Sequence, residues 1–124
     1  MLGHGEWDED LKNIFEVYIN NHGAFLIAEH DDKIIGMGAL KRVSDQIAEV
    51  KRMRVSPEHQ GRGLGTKLLK FIEKKAEELG YKELILDTSD RQKAAIHIYK
   101  KHGYKEYKRG FLGGWEAIYM KKTI

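Results

Sequence analysis

The stretch "SPEHQGRGLGTKLLKF", Ser56 to Phe71, decides how the chain is read. A proline turn runs into three glycines, Gly61, Gly63 and Gly65, with Arg62 between the first two. Leu64, Leu68 and Ile72 then open an apolar stripe at helical spacing, which Ala76 and Leu79 continue to a stop at Gly80. Upstream, residues 46–55 alternate like a strand. A strand, a loop of bare amides and a helix N-terminus together make an anion site, where N–H groups converge and the helix dipole adds its positive end. A plain strand-to-helix turn needs one glycine for positive φ, or two. A third, in a loop that also holds Gln60 and Arg62, points to a ligand, and a diphosphate is the natural one.

Working outward, Leu11, Ile14, Phe15, Tyr18 and Ile19 recur at helical spacing over residues 8–20, behind acidic Asp8, Glu9 and Asp10. Residues 24–30 and 33–43 read as strands around a "DDK" turn. With residues 46–55 they make an antiparallel meander, the last two joined by a short "SD". Residues 82–88 are a short buried strand. Ser89 or Asp90 is placed to cap a second helix that runs to about His102, with Ala95, Ile98, Tyr99 and His102 on one side and Gly103 as its stop. "YKEYKRG" and "WEAIYMKKTI" close the chain as a strand pair around the loop "GFLGG". The sum is an α/β domain with a mixed sheet.

Composition bounds the function. At 124 residues the chain is long enough for one compact domain, so 1–124 reads as a single unit. Hydrophobic residues make up 41% and charged residues 33%, which suits one globular core. There is no cysteine, so disulfides, thiolate zinc sites and cysteine nucleophiles are excluded. Apolar runs are too short for a membrane span, and "MLGHGEWDED" lacks a basic-then-apolar leader, so a cytoplasmic location is the default expectation. The net charge of +3, with lysines beside glutamates, describes a solvated surface and not a nucleic-acid stripe. His97 and His102 lie five apart, off the i,i+4 spacing, and His4, His22, His30 and His59 fall in predicted turns or ends, so no metal site is expected.

Three motifs compete for the glycines. A P-loop needs Gly-Lys-Ser/Thr, and here the order is Gly65-Thr66-Lys67, which excludes it. A dinucleotide fingerprint finds Gly61 and Gly63 but then Thr66, with Asp87 suitably placed at the end of the next strand. That reading is the runner-up, but "SPEHQ" separates strand from glycines and an antiparallel meander precedes them. The pattern Gln/Arg-x-x-Gly-x-Gly/Ala fits Gln60, Gly63 and Gly65 at every fixed position. Together with "AAIHIYKKHGY", which is similar to an A-x-x-Y-x-x-x-G-Phe/Tyr element, it makes the chain resemble the GNAT superfamily of acetyl-CoA-dependent N-acetyltransferases from about Asp8 onward.

The resemblance implies a mixed, mostly antiparallel α/β (α+β) sheet whose fourth and fifth strands splay to admit acetyl-CoA. It implies that the amides of Gln60, Gly61, Arg62, Gly63, Leu64, Gly65 and Thr66 hold the coenzyme's diphosphate, with Arg62 and Lys67 adding charge outside. Met53, Arg54 and Val55 offer backbone groups to the pantetheine arm, making the ligand a pseudo-strand, and Ala95 lies against it. Gln92 stands where the family often carries asparagine, Tyr104 where Phe is usual, and Lys101 either meets the 3′-phosphate or is solvated. Tyr99 resembles the tyrosine that protonates the departing thiolate, although its helix pattern also suits a core residue. Glu49 lies eleven residues before Gln60, the offset of the glutamate base in the histone acetyltransferase branch. By alternation Glu49 shares a face with Ile47, Lys51 and Met53. A base with a raised pKa, an ion pair with Lys51 or Lys41, and a solvated face all stand open for it. The oxyanion donor is expected from the backbone near Met53.

The implied activity is acetyl transfer from acetyl-CoA to a primary amine of a small molecule. A non-catalytic acyl-CoA-binding sensor or interaction module is the alternative. The acceptor is expected beside the 8–20 helix and the 110–115 loop, where Trp7, Tyr18, Phe111 and Trp115 offer apolar walls and Glu6, Asp8 or Glu9 could greet an ammonium. The resemblance also implies a further strand and helix ahead of Trp7, where this chain has only "MLGHGE". It therefore reads as a naturally short domain, a fragment or an engineered form. The 24–30 strand would then be an exposed edge, for which a homodimer is expected.

Overall fold

The computed structural model describes residues 21–124. The helix expected over 8–20, with Glu6, Trp7, Asp8, Glu9 and Tyr18, lies outside the described residues. Strands β1 (Ala24–His30), β2 (Lys33–Arg42) and β3 (Ile47–Val55) form the antiparallel meander. Asp31 and Asp32 carry φ of 51° and 63°, which makes the two-residue turn that matches strand twist. Helix α1 (Leu64–Glu78) crosses to β4 (Glu83–Ser89), which pairs parallel with β3. Helix α2 (Lys93–Lys101) leads to the hairpin of β5 (Lys105–Leu112) and β6 (Trp115–Thr123). The sheet order is β1-β2-β3-β4-β6-β5, and every pairing except β3–β4 is antiparallel. This is the expected mixed, mostly antiparallel sheet. Among the described residues, β1 is an edge strand and no helix is long and apolar enough to cross a membrane.

α1 buries Leu68, Leu69, Ile72 and Ala76 against a core that includes Leu40, Ala48, Val50, Leu84 and Met120. Two glycines of β2 let it come close. A Cβ on Gly36 would lie 3.0 Å from Leu68 Cδ1, and one on Gly38 would lie 2.6 Å from Ile72 Cδ1. Helix and sheet therefore pack backbone to side chain at those two points.

Two local expectations fail. Ser89 and Asp90 do not cap α2; its N-cap is Gln92, with no side-chain capping bond. The reason is that β4 runs through Ser89, whose hydroxyl accepts from Arg91 N–H instead (3.1 Å). The hairpin loop is also shorter than "GFLGG". Gly113 and Gly114, at φ 61° and 81°, turn the chain by themselves, and the strands pair as far as Leu112 and Trp115.

A buried polar link joins α1, β6 and the segment after α2. Tyr104, 2% exposed, donates its hydroxyl to Glu73 Oε2 at 2.9 Å, and Lys122 Nζ donates to the same oxygen at 2.9 Å. Tyr104 in turn meets the Tyr99 ring edge-on, centroids 5.7 Å apart. Glu73→Ala strands a buried phenol and an ammonium, so it should lower stability by about 1–3 kcal/mol. Urea unfolding checks this: a lower midpoint at constant slope is expected, and an unchanged midpoint contradicts it.

Candidate active site

β3 and β4 pair over only three positions, Ile47 with Glu83, Ala48 with Leu84 and Glu49 with Ile85, and then part. β4 stays paired with β6 through Ser89, so the opening lies wholly between β3 and β4. This is the splay that the resemblance implied.

β3 changes phase as it opens. Ala39 pairs with Lys51 and Met37 with Arg54, which leaves Gly38 opposite both Arg52 and Met53. Arg52 adopts φ 58° to make this bulge. Simple alternation put Met53 on the face of Glu49 and Lys51, and the bulge overturns that. The Met53 sulfur lies 2.7 Å from where a Cβ on Gly38 would stand, on the side of Ile72 and α1. Val50 is buried in the core, so Glu49 and Lys51 look away from α1.

Beyond Val55, Pro57–His59 forms a single 3-10 turn. Gln60 Nε2 donates back to Val55 O at 3.0 Å, which ties the glycine loop to the strand end. Gly61 and Gly63 have φ of 78° and 80°, so turn geometry alone accounts for both. Gly65 is different. It lies within α1 without a positive φ, and a Cβ there would meet Val55 Cγ2 and Ile98 Cδ1 only at 3.8 and 4.0 Å. No internal demand excludes a side chain at this position. α1 has no side-chain cap, and the bond into its cap residue runs from Lys67 N–H to Gly63 O (3.1 Å). The amides of Leu64, Gly65 and Thr66 are thus the orphan donors of the helix start.

These donors open on a groove of about 520 Å³. Met53, Arg54, Val55, Gln60, Gly61, Gly63, Leu64, Gly65, Thr66, Gln92, Ala95 and Tyr99 line it, as do His59 and Arg91, which the motif did not single out. Arg62 and Lys101 do not. A second hollow, of about 850 Å³, is walled by Glu49, Lys51, Asp87, Thr88, Trp115 and Glu116 among others. Met53, Arg54, Gln92 and Tyr99 line both, so groove and hollow meet at Tyr99. Phe111, expected as a wall, stands 82% exposed and lines neither.

Tyr99 is buried on α2, and burial, with the Asp87 charge beside it, pushes its hydroxyl up to about 12. Glu49 is half-buried. Desolvation raises its pKa most, Lys51 and Lys41 oppose this, and Asp87 adds to it. Neither lysine reaches ion-pair distance, so the ion-pair reading of Glu49 fails among the described residues. Thr88 donates its hydroxyl to Gln92 Oε1 at 2.6 Å, which leaves the Gln92 NH₂ as a donor. The Arg91 guanidinium stacks 4.3 Å from the Trp115 ring centroid. In the sequence Asp87 belongs only to the rival dinucleotide motif, and Thr88 to none. A charged residue within a buried apolar strand was the available signal.

Comparison with known proteins agrees with this geometry. The model of the acetyltransferase (GNAT) family matches residues 3–104. The probable N-acetyltransferase 14 of Xenopus tropicalis is 41% identical over 111 residues, 88% of this chain and 52% of that protein. The chain spans about half the length of the curated relatives it matches. An acetyltransferase from Streptococcus agalactiae superposes with a TM-score of 0.87 at 25% identity, over 95% of this chain and 77% of that one. A GNAT family acetyltransferase from Elizabethkingia anophelis, solved with acetyl-CoA bound, shares the fold with a TM-score of 0.74 at 20% identity, over 98% of this chain and 92% of that one.

A carboxyl whose pKa is higher folded than unfolded holds its proton better in the folded state. Its contribution is complete below the ordinary value of 4.5 and is lost as pH rises through the folded value. Glu49→Gln should therefore raise Tm near neutral pH. The gain should vanish below about pH 4.5, where Glu49 is itself neutral. Thermal melts of both proteins across that range test it, and a gain that persists in acid would contradict it.

Proposed function

The chain belongs to the GNAT acetyltransferase family, and from that premise we propose that it moves an acetyl group from acetyl-CoA to a primary amine of a small molecule. The observation that carries the reading is the meeting of groove and hollow at Tyr99. The groove has the glycine loop at one end and the bulged strand along its side, and it suits a long diphosphate-bearing thioester. The hollow offers carboxylates, which suit an ammonium.

In this reading the amides of Leu64, Gly65 and Thr66 hold the diphosphate, the β3 backbone from Met53 to Val55 lies along the pantetheine arm, and the Gln92 NH₂ donates into the groove. Glu49 takes a proton from the acceptor's ammonium. The freed nitrogen attacks the thioester carbonyl carbon, the oxyanion forms near the Met53 backbone, and its collapse breaks the carbon–sulfur bond. Tyr99 donates to the departing sulfur. Of the two protons the nitrogen loses, one ends on the thiol and one in solvent.

Incubating acetyl-CoA with a panel of primary amines and detecting free thiol tests the activity. Tyr99→Phe should lower kcat by about 100-fold while the Tm shift induced by coenzyme A persists. Coenzyme A binding without turnover on any amine would favour a non-catalytic acyl-CoA binder, and stabilisation by NAD alone a dinucleotide domain.

Gly65→Ala tests the diphosphate contact. The unliganded Tm should hold or rise, since alanine is favoured over glycine in a helix by up to about 1 kcal/mol. The Kd for coenzyme A should weaken by at least about 10-fold as the methyl group displaces the phosphates. An unchanged Kd overturns the assignment.

A further inference from the structure

Apart from tyrosines, Thr88 is the only polar residue buried among the described ones, at 8% exposed. On β4 it shares a face with Leu84 and Leu86, both buried, and it pairs across the ladder with Ile118. A valine would fill the same space and suit the strand equally, with no hydroxyl to satisfy. The hydroxyl donates to Gln92 Oε1 at 2.6 Å. Gln92 is itself exposed and is the N-cap of α2, yet it makes no side-chain capping bond. Its Oε1, the one side-chain atom able to serve the N–H groups of the helix start, is bonded to Thr88 instead. Its Nε2 has no partner among the described residues. That amide stands where groove and hollow meet, since Gln92 lines both, whereas Thr88 lines the hollow alone. The arrangement forgoes a helix cap, satisfies a buried hydroxyl and leaves a donor with no protein group to donate to.

We propose that Thr88 is a positioning residue for the thioester coenzyme: it fixes the Gln92 amide so that only the NH₂ faces the groove, where it donates to a carbonyl of the pantetheine arm. The proposal rests on the acetyltransferase reading of this site and adds the residue that sets the polarity of one of its contacts. A glutamine amide is ambivalent, with an acceptor oxygen and a donor nitrogen of nearly the same shape. A free Gln92 could turn either end to the ligand, or cap α2 with its oxygen. The Thr88 hydroxyl removes that choice by occupying the oxygen. Glutamine also has one more rotatable bond than the asparagine that the family often carries here. Anchoring its tip to an inner strand, paired with β6 as far as Ser89, offsets that extra freedom.

The test measures coenzyme A affinity by calorimetry, and unliganded Tm, for the wild type, Thr88→Val, Thr88→Ser, Gln92→Ala and Thr88→Val combined with Gln92→Ala. Thr88→Val should weaken Kd by about 3- to 10-fold, the loss of one neutral hydrogen bond. Its unliganded Tm should hold, because valine fills the threonine's space and the released Gln92 oxygen meets water or the helix start. Thr88→Ser keeps a hydroxyl and should recover the affinity. In the Gln92→Ala background, Thr88→Val should change Kd no further. A Kd unchanged by Thr88→Val overturns the proposal. So does a weakening that persists without the Gln92 amide, which marks a packing role. Gln92→Glu keeps an oxygen for Thr88 and replaces the donor by a second acceptor, so it should weaken Kd at least as much as Gln92→Ala. Wild-type affinity in Gln92→Glu overturns the proposal even if Thr88→Val does not fold. Coenzyme A that does not bind the wild type removes the coenzyme reading of the groove and the proposal with it, whereas equal binding to every variant removes the proposal alone.

Discussion

The site depends on the parting of β3 and β4 after three paired residues. An open seam inside a sheet leaves backbone donors and acceptors without partners, and each buried one costs about 1–3 kcal/mol. The fold must therefore hold the seam apart and leave it open to something polar. At the closed end, Lys82 and Glu83 N–H both donate to Gln46 O, at 2.8 and 3.1 Å, and pin the start of β4 to β3. At the open end, β4 is held by β6, and Asp90 N–H donates to Glu116 O at 3.0 Å. β3 is drawn the other way, toward β2, by pairing that runs on to Gly36 and Val55. The arginine at positive φ in the bulge costs about 1–2 kcal/mol, and the packing of Met53 against Ile72 and the continued β2 pairing offset it.

The helices complete what the strands begin. α1 reaches the sheet because Gly36 and Gly38 leave room, and this fixes where its N-terminal amides emerge. α2 brings Tyr99 to the seam, and Tyr104 backs the Tyr99 ring while bonded to Glu73 of α1. Two elements distant in sequence thereby share one reference, and the tyrosine hydroxyl and the loop amides are located by the same packed unit. The groove's two ends are fixed relative to each other without any ligand.

Much of this was legible in the residues. The 24–30 strand lies where its apolar pattern places it, and the glycine at position 80 ends α1, with φ 92°. The loop and the later helix motif led to the family because each carries side-chain identities at fixed spacing. What stayed hidden depends on tertiary context. Nothing about Arg52 announces a left-handed backbone, since the bulge exists only to reconcile β2 with a departing β3. The face of Met53 therefore could not be read by alternation. Asp87 looked like a strand-end acid, whereas β4 runs on past it to Ser89 and leaves it exposed within the strand. Ser89 had good capping chemistry but was taken up by the strand, because pairing with β6 continues to Ala117.

The raised pKa of Tyr99 limits what that residue can do in the proposed reaction. A hydroxyl near 12 is fully protonated at neutral pH, so it is always ready to donate. It is also a weaker acid than an ordinary thiol, whose pKa is about 8.5, by more than three units. Full transfer of its proton to a free thiolate would run uphill. Tyr99 is better matched to the moment before the thiolate is free, when a hydrogen bond stabilises charge as it builds on sulfur and nothing stabilises the tyrosinate. The same burial that weakens the acid strengthens that bond, because no water competes for the sulfur. The net proton on the thiol then comes from the amine, and the tyrosine relays it. Burial, and after it the Asp87 charge, thus keeps the tyrosine hydroxyl protonated and set to donate.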